Sequence, residues 1–122
     1  MKHRKEVMNV AKTNWNRTLE EVLKQPTTPK MLVSEKTGNE YSTDVVESLT
    51  VLSIGSIEEI DGKFKYSIVD TKNDLEYSIK VPNKVEVKFG TLLQFKNLRG
   101  GATSNGIGWY AADSVAVIQR NA

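Results

Sequence analysis

Apolar residues recur at every second position in five short runs between residues 47 and 118, and turn-forming residues separate these runs. The runs span residues 49–60, 64–69, 75–81, 92–98 and 109–118. A period of two is typical of β-strands that bury one face, and Gly, Asp, Asn or Pro between the runs favours turns there. The pattern therefore predicts an antiparallel sheet of five strands, which constrains the fold more than any other feature of the chain.

The first run is the longest, and Gly55 lies in its middle. A residue without Cβ lets a strand bend or bulge, so one strand can take part in two sheets. Two tight hairpins, a longer connection over 82–90 and a glycine-rich loop link the remaining runs. In the stretches 53–57, 68–70 and 89–95 this order resembles the OB-fold, a Greek-key barrel that binds oligonucleotides. The resemblance implies a mainly β protein with a five-stranded OB-like Greek-key barrel.

Residues 7–24 carry apolar side chains at spacings of three and four, which predicts an N-terminal α-helix that Pro26 ends. These side chains are Val7, Val10, Ala11, Trp15, Leu19, Val22 and Leu23. Asn14 and Thr18 are weak helix formers, so a second, shorter helix starting near Trp15 is an alternative. Trp15 either anchors the helix on the barrel, the interpretation we favour, or stacks on a base.

Residues 25–30 contain two prolines around a pair of threonines, a composition that favours a linker over a helix or a central strand. A short strand at 31–33 and a turn at 36–39 are expected to follow. The sequence therefore predicts an N-terminal helix with a Pro-containing linker over residues 1–30 and an OB-like barrel domain over residues 31–122.

The chain has 122 residues, no cysteine and a single histidine, His3. Disulfides and thiolate metal sites are therefore excluded, and we expect no metal and no cofactor. No nucleophile, base and orienting group can be assembled, so we expect a protein that is not an enzyme. No apolar run is long enough for a membrane span, and the charged N-terminus does not fit a secretory signal. These features predict a cytoplasmic protein with no membrane partner.

The net charge is only +2, but the charges are unevenly distributed. Residues 1–31 contain seven Lys/Arg against three Glu, and residues 80–99 contain five Lys/Arg against one Glu. Residues 35–59 are mostly acidic. Basic segments attract phosphates, although an individual surface lysine is usually only solvated. The net charge therefore does not identify a nucleic-acid binder by itself, and the sequence shows two basic segments with an acidic one between them.

Strand parity assigns two faces to the hairpin formed by residues 63–81. The face predicted to point into the core carries Phe64, Tyr66, Ile68, Leu75, Tyr77 and Ile79. The opposite, polar and partly basic face carries Lys63, Lys65, Ser67, Glu76, Ser78 and Lys80. Tyr66 and Tyr77 have the barrel rim as an alternative, because a phenol hydroxyl usually keeps a polar partner and a rim ring can stack on a base.

The segment 99–108 contains four glycines and no acidic residue. Glycine lets a backbone approach a phosphate closely, so with Arg99 at its base this segment is either a phosphate-binding loop or a mobile hairpin loop. Trp109 and Tyr110 follow it, and adjacent strand residues point to opposite faces. One of the two rings is therefore predicted to be exposed beside a basic loop, where it can stack on a base.

The segments 96–99 and 108–115 are similar to the end of small OB-like proteins encoded by conjugative plasmids and integrative elements of Gram-positive bacteria. In that group the implied role is single-stranded DNA binding during transfer or replication of the plasmid or mobile element. The N-terminal helix and the Pro-containing segment have no counterpart in this resemblance.

The leading hypothesis is a non-enzymatic single-stranded DNA-binding protein with little sequence preference, and the sequence does not separate DNA from RNA. Lysines and arginine are expected to contact phosphates, and aromatic rings are expected to stack on bases. The expected nucleic-acid-binding residues are Lys63, Lys65, Tyr66, Tyr77, Lys80, Lys96, Arg99, Trp109 and Tyr110. The alternative is an assembly or adaptor module that binds a protein partner, or a second copy of itself, through the N-terminal helix.

Overall fold

The computed structural model describes residues 11–12, 15, 18–34 and 36–118. Within these ranges the chain forms one short helix, α1 (Leu19–Leu23), and eight strands. The strands are β1 (Ala11–Lys12), β2 (Thr28–Val33), β3 (Glu40–Ile60), β4 (Lys63–Asp70), β5 (Leu75–Val81), β6 (Phe89–Gly101), β7 (Trp109–Ala111) and β8 (Ser114–Val117).

Five of these strands close into a barrel. β4 pairs antiparallel with β3 and β5, and β6 pairs antiparallel with β3 and β7. A parallel contact between β5 and β7 completes the ring in the order β3-β4-β5-β7-β6. This arrangement is consistent with an OB-like barrel, so the predicted mainly β fold class is confirmed. The predicted fifth run is divided at residues 112–113 into β7, which closes the barrel, and β8, which pairs with β6.

β3 is 21 residues long and changes partners along its length. Its first part pairs with β2, its middle with β6 and its last part with β4. Gly55 lies at the register shift between Ser53 and Ile57, with a φ of 93° that residues with a Cβ rarely adopt. The irregularity predicted at Gly55 is therefore confirmed, and it lets one strand pair with both β6 and β4.

Alternate residues of the barrel strands fill its interior. The fully buried side chains include Tyr66 and Phe95, whose rings meet edge to face with centroids 6.1 Å apart. Tyr77 and Ile79 of β5 are buried with them, and Phe64 is partly buried at the margin. The parity predicted for the inward face of the β4–β5 hairpin is therefore confirmed.

The N-terminal segment differs from the predicted helix over residues 7–24. Thr18 has an extended backbone and caps α1, since its hydroxyl accepts a hydrogen bond from the Glu21 amide at 3.3 Å. The backbone of Ala11–Lys12 pairs in parallel with β5. The helix prediction is therefore wrong for residues 11–12 and 18, because strand pairing and the cap replace helical hydrogen bonds. Residues 7–10, 13–14 and 16–17 lie outside the described residues.

Trp15 is half-buried and lies outside any helix. Its ring is 6.2 Å from that of Tyr110 between centroids, and its amide donates to the Gly106 carbonyl at 2.6 Å. Trp15 thus packs on the barrel as the anchoring interpretation predicts, although Trp15 itself is not helical.

The predicted linker over residues 25–30 is wrong for its last three residues, which begin β2. In β2, Thr28 is registered with Val45 and Pro29 with Asp44. β2 lies at the end of the strand order, and an edge strand tolerates proline because only one side of its backbone needs ladder partners. The predicted strand at 31–33 and the turn after it are confirmed. The division of the chain at residue 30 stays a prediction.

Candidate nucleic-acid interface

The outward face of β4 and β5 carries two directly opposed lysines. Lys65 is registered with Lys80, and Ser67 with Ser78, whose hydroxyl oxygens are 3.4 Å apart. Like charges opposite each other on paired strands repel, so an anion between the two ammonium groups would relieve an unfavourable contact. The polar, partly basic outward face that the sequence predicts is confirmed.

The predicted loop over 99–108 divides into a strand end and a shorter loop. Gly100 and Gly101 belong to β6, and only residues 102–108 connect β6 to β7. In this connection the Gly106 amide donates to the Thr103 carbonyl at 3.0 Å, and the Gly108 amide donates to Thr103 Oγ1 at 2.9 Å. Because these amides already have partners, the glycines do not form the phosphate cradle that the sequence suggested.

The loop of residues 102–108 is also bonded to the barrel. The Tyr110 hydroxyl donates to the Ile107 carbonyl at 2.9 Å, and the Ile107 amide donates to Asn105 Oδ1 at 3.0 Å. Together with the bond from the Trp15 amide, these contacts fix the loop backbone over β7. The loop is therefore a defined wall that presents the Ile107 side chain at the surface, 38% exposed.

Trp109 and Tyr110 point to opposite sides of β7, as predicted. Trp109 is 49% exposed, and Tyr110 is buried with its ring 5.0 Å from that of Tyr77. Gly101 lies opposite Trp109 in the strand pair, and a Cβ at Gly101 would come within 2.6 Å of the indole Nε1. The missing side chain at Gly101 therefore makes room for the indole to lie against β6 while its other face stays open to solvent.

A groove of about 450 Å³ lies between these two walls. One wall is the outward face of β4 and β5, with Lys65 and Lys80, and the other is the loop with Ile107. Trp109 lines the same groove, and Glu76 contributes a carboxylate. The groove thus combines two ammonium groups, one carboxylate and an exposed aromatic ring.

Arg99 is engaged by a neighbouring carboxylate. Its Nη1 is 2.5 Å from Asp113 Oδ1, and Asn97 Nδ2 donates to Asp113 Oδ2 at 2.8 Å. Burial by itself would raise the pKa of Asp113, but the hydrogen bonds from Asn97 and Arg99 and the Arg99 charge hold that pKa below its ordinary value. Asp113 is therefore charged at neutral pH, and it offsets much of the positive charge that the sequence assigned to Arg99.

Tyr66 and Tyr77 lie in the core. The Tyr66 hydroxyl accepts a hydrogen bond from the Val85 amide at 2.7 Å and donates to the Asn83 carbonyl at 3.3 Å. The Tyr77 hydroxyl is buried without a hydrogen-bond partner in the described part of the chain, and burial raises its pKa. Tyr66 is fully buried and does not line the groove, and Tyr77 lines it but is only 4% exposed, so neither ring has an open face for stacking.

The remaining predicted residues occupy different places. Lys63 and Arg99 line two further grooves beside Trp109 and Lys80. Lys96 is exposed on β6, registered with Ser48 of β3 and Ser114 of β8, and it does not line these grooves. The structure therefore brings together Lys63, Lys65, Lys80, Arg99 and Trp109, and the buried Tyr77 and Tyr110 are among the residues that line the first groove. It leaves Lys96 and Tyr66 away from these grooves.

The groove also contains Thr103, Asn105 and Ile107, which were not predicted as site residues. Thr103 and Asn105 carry a recognisable signal, because short polar side chains near glycine commonly bond to nearby backbone in turns. Ile107 carries none, since its position depends on the Tyr110 bond across the loop.

Metal sites and membrane spans can be assessed over residues 11–12, 15, 18–34 and 36–118. Within these ranges no three His, Cys, Asp or Glu residues are grouped so that they can hold a metal ion. The helix found there is too short and too polar to cross a membrane.

The chain matches no protein-family model, and neither the curated proteins nor the solved structures include a significantly similar one. The resemblance to plasmid-encoded single-stranded DNA-binding proteins therefore stays a prediction from the sequence.

Proposed function

We propose that the protein binds single-stranded DNA along the groove between the outward face of β4 and β5 and the loop of residues 102–108. The observation that carries this proposal is the half-exposed Trp109 ring in the same groove as the opposed Lys65 and Lys80. An aromatic ring beside cationic side chains is the arrangement that single-stranded nucleic acid requires.

The lysines supply the electrostatic part of binding. A phosphate between Lys65 and Lys80 interacts with both ammonium groups and relieves their repulsion across the strand pair. Lys63 extends the basic surface toward Arg99. Because each phosphate contact releases counterions, the affinity falls as salt rises. A plot of log affinity against log salt concentration should steepen by about 0.7 for each phosphate contact on a single strand.

Trp109 supplies the stacking part, which is worth about 1–3 kcal/mol per base. Every base has a π-face, so this contact discriminates little between sequences. In a duplex the bases are already stacked on one another and present no free face to the indole. Single strands are therefore the preferred ligand, and single-stranded RNA offers the same two contacts.

The biological setting that fits the sequence resemblance is transfer or replication of a plasmid or mobile element in the cytoplasm, by a protein that is not an enzyme. The adaptor alternative gains no support from α1, which buries Leu19, Val22 and Leu23 against the barrel. The other residues of α1, Glu20 and Glu21, are exposed and charged. The described helix thus has no apolar face left for a partner.

Fluorescence anisotropy tests the proposal with a labelled oligo-dT of about thirty nucleotides, long enough for more than one site of the size typical of OB-folds. The same oligonucleotide annealed to its complement, and an oligo-U of equal length, are measured at about 50 mM and about 200 mM salt. We expect single-strand binding that exceeds duplex binding and weakens with salt. Absence of single-strand binding at the lower salt concentration contradicts the proposal.

A further inference from the structure

The hairpin of β2 and β3 stands beside the exposed face of Trp109. Tyr41 of β3 is 39% exposed and is registered with Leu32 across the hairpin. Tyr41 and Trp109 line one groove of about 570 Å³, between the hairpin and the barrel. Two partly exposed aromatic rings therefore border the same space.

This second groove is also basic. Lys36, Lys63 and Arg99 line it, and Glu40 is its carboxylate among the described residues. The Asp113 carboxylate offsets part of the Arg99 charge from outside the groove. Among the described lining residues, basic side chains outnumber the one carboxylate, which suits a polynucleotide with one negative charge per nucleotide.

The two grooves adjoin at Trp109, which lines both the groove over β4 and β5 and the groove under the hairpin. A smaller groove of about 120 Å³, bordered by Lys63, Lys80 and Arg99, joins the cationic sides of both. A strand that stacks on Trp109 thus has a basic path leading toward Tyr41.

We propose that the β2–β3 hairpin is a second part of the single-strand site and that Tyr41 is its stacking platform. This inference rests on the proposed function, because it takes the polynucleotide already assigned to the first groove and extends its path. The hairpin lengthens the bound segment beyond what the barrel face alone holds. A short oligonucleotide fills the groove at Lys65 and Lys80, and only a longer one reaches Tyr41.

A length series of oligo-dT from about four to about sixteen nucleotides, the range of OB-fold site sizes, tests this with wild type and Tyr41→Ala. We expect Tyr41→Ala to weaken binding of the longest oligonucleotide at least about five-fold, the low end of one stacking contact, and to leave the shortest unchanged. Tyr41→Phe keeps the ring and should bind as wild type does. Met31→Ala is the matched control, because Met31 is 61% exposed on the same hairpin and does not line the groove.

The outcomes separate this inference from the proposed function. If Tyr41→Ala binds every length as wild type does while Trp109→Ala is weakened, the hairpin is not part of the site and the first groove stands. If wild type binds no oligonucleotide, the proposed function itself is overturned. Equal weakening by Met31→Ala and Tyr41→Ala would also overturn the stacking role of Tyr41. Thermal unfolding of each variant checks that the fold is retained.

Discussion

The two connections at opposite ends of β6 are both held by the hydroxyl of a buried tyrosine. Before β6, the backbone of residues 82–88 is fixed by the buried Tyr66, whose hydroxyl bonds to Asn83 and Val85. After β6, the loop of residues 102–108 is fixed by the buried Tyr110, whose hydroxyl bonds to Ile107. In both cases a ring in the core orders a connection through its hydroxyl.

What lies beside the two connections is different. Phe89, at the first end, is 82% exposed and, within the described part of the chain, does not itself line a groove with basic side chains; its backbone lies near Gly55, which lines a groove with Glu59, Lys84 and Glu86. Trp109, at the second end, is less exposed but lines a groove with Lys65 and Lys80. Exposure alone does not distinguish the two rings. We expect the basic side chains that share a groove with Trp109 to make it the ring that binds nucleic acid.

The largest expected effect separates the two exposed rings directly. Trp109→Ala should weaken oligo-dT binding by about 1–3 kcal/mol, which is about five- to 150-fold, because one stacking contact is lost. Phe89→Ala should leave the affinity within about two-fold, since only bulk surface is changed. Anisotropy titrations measure the oligo-dT affinity of both variants. Equal losses of affinity would show that the Trp109 and Phe89 rings do not differ in their contribution to binding. Tyr110 is left intact in this test because it is part of the core.

The two tyrosine anchors should differ in what their hydroxyls support. Tyr66→Phe leaves the Val85 amide without its partner and should lower the free energy of unfolding by about 1–3 kcal/mol without changing DNA affinity. Tyr110→Phe removes the hydrogen bond to the Ile107 carbonyl and should weaken DNA binding because the loop is held less firmly. Tyr77→Phe is the control, because it removes a hydroxyl without a partner in the described chain and should be neutral or stabilising. Urea unfolding and anisotropy on the same preparations test all three, and a DNA-binding defect in Tyr66→Phe would contradict the comparison.

Removal of one opposed lysine should have effects of opposite sign on stability and binding. Lys65→Gln or Lys80→Gln relieves cross-strand repulsion and should raise the free energy of unfolding by about 0.2–1 kcal/mol. The same change should reduce the salt slope of DNA binding by about 0.7, the share of one phosphate contact. Lys84→Gln, in the groove near Phe89, should leave the slope unchanged. If all three variants change the salt slope equally, the phosphate contacts are not confined to Lys65 and Lys80, and this prediction is wrong.

The smallest expected effect concerns Asp113, whose pKa is lowered in the folded protein despite partial burial. Because the pKa is lower in the folded protein, the bonds of the Asp113 carboxylate stabilise the fold. This stabilisation is fully present above the unfolded pKa of about 3.9 and is lost as the pH falls through the folded pKa. Because the pair is partly exposed, the contribution should be on the order of 0.5 kcal/mol. Urea unfolding of wild type and Asp113→Asn should differ near neutral pH and converge below about pH 4. A difference that persists undiminished at low pH would contradict this.

Alternation along the chain was enough to predict the barrel strands and the opposite orientations of Trp109 and Tyr110. Both depend on local parity, which the side-chain period of a strand fixes. The extent of the N-terminal helix was not predictable in the same way. Residues 11–12 pair with Leu75 and Glu76, more than sixty positions later in the chain, and a local sequence pattern does not predict such a contact.

The residue types of the candidate site could be predicted from the sequence, but the grouping of those residues in space could not. The sequence shows the sign of each charge, but barrel closure decides which lysines share a groove, so Lys65 and Lys80 meet and Lys96 lies apart. Arg99 appeared as a free cation because Asp113 approaches it only across the strand pairing. Gly101 appeared as a loop residue because its role, making room for an indole, depends on the register of β6 with β7.

The long strand β3 also bears on the order in which the protein folds. Its central segment pairs Val46 with Leu98, about fifty residues later, whereas β4 and β5 form a local hairpin closed by a short turn. Closing a long chain segment costs more entropy than closing a short one, and folding slows as contacts become more distant in sequence. The β4–β5 hairpin, with its pair of lysines, can therefore form early. The groove that contains Trp109 also needs the contact between β5 and β7 that closes the barrel. We therefore expect a folding chain to acquire its proposed binding site later than that hairpin.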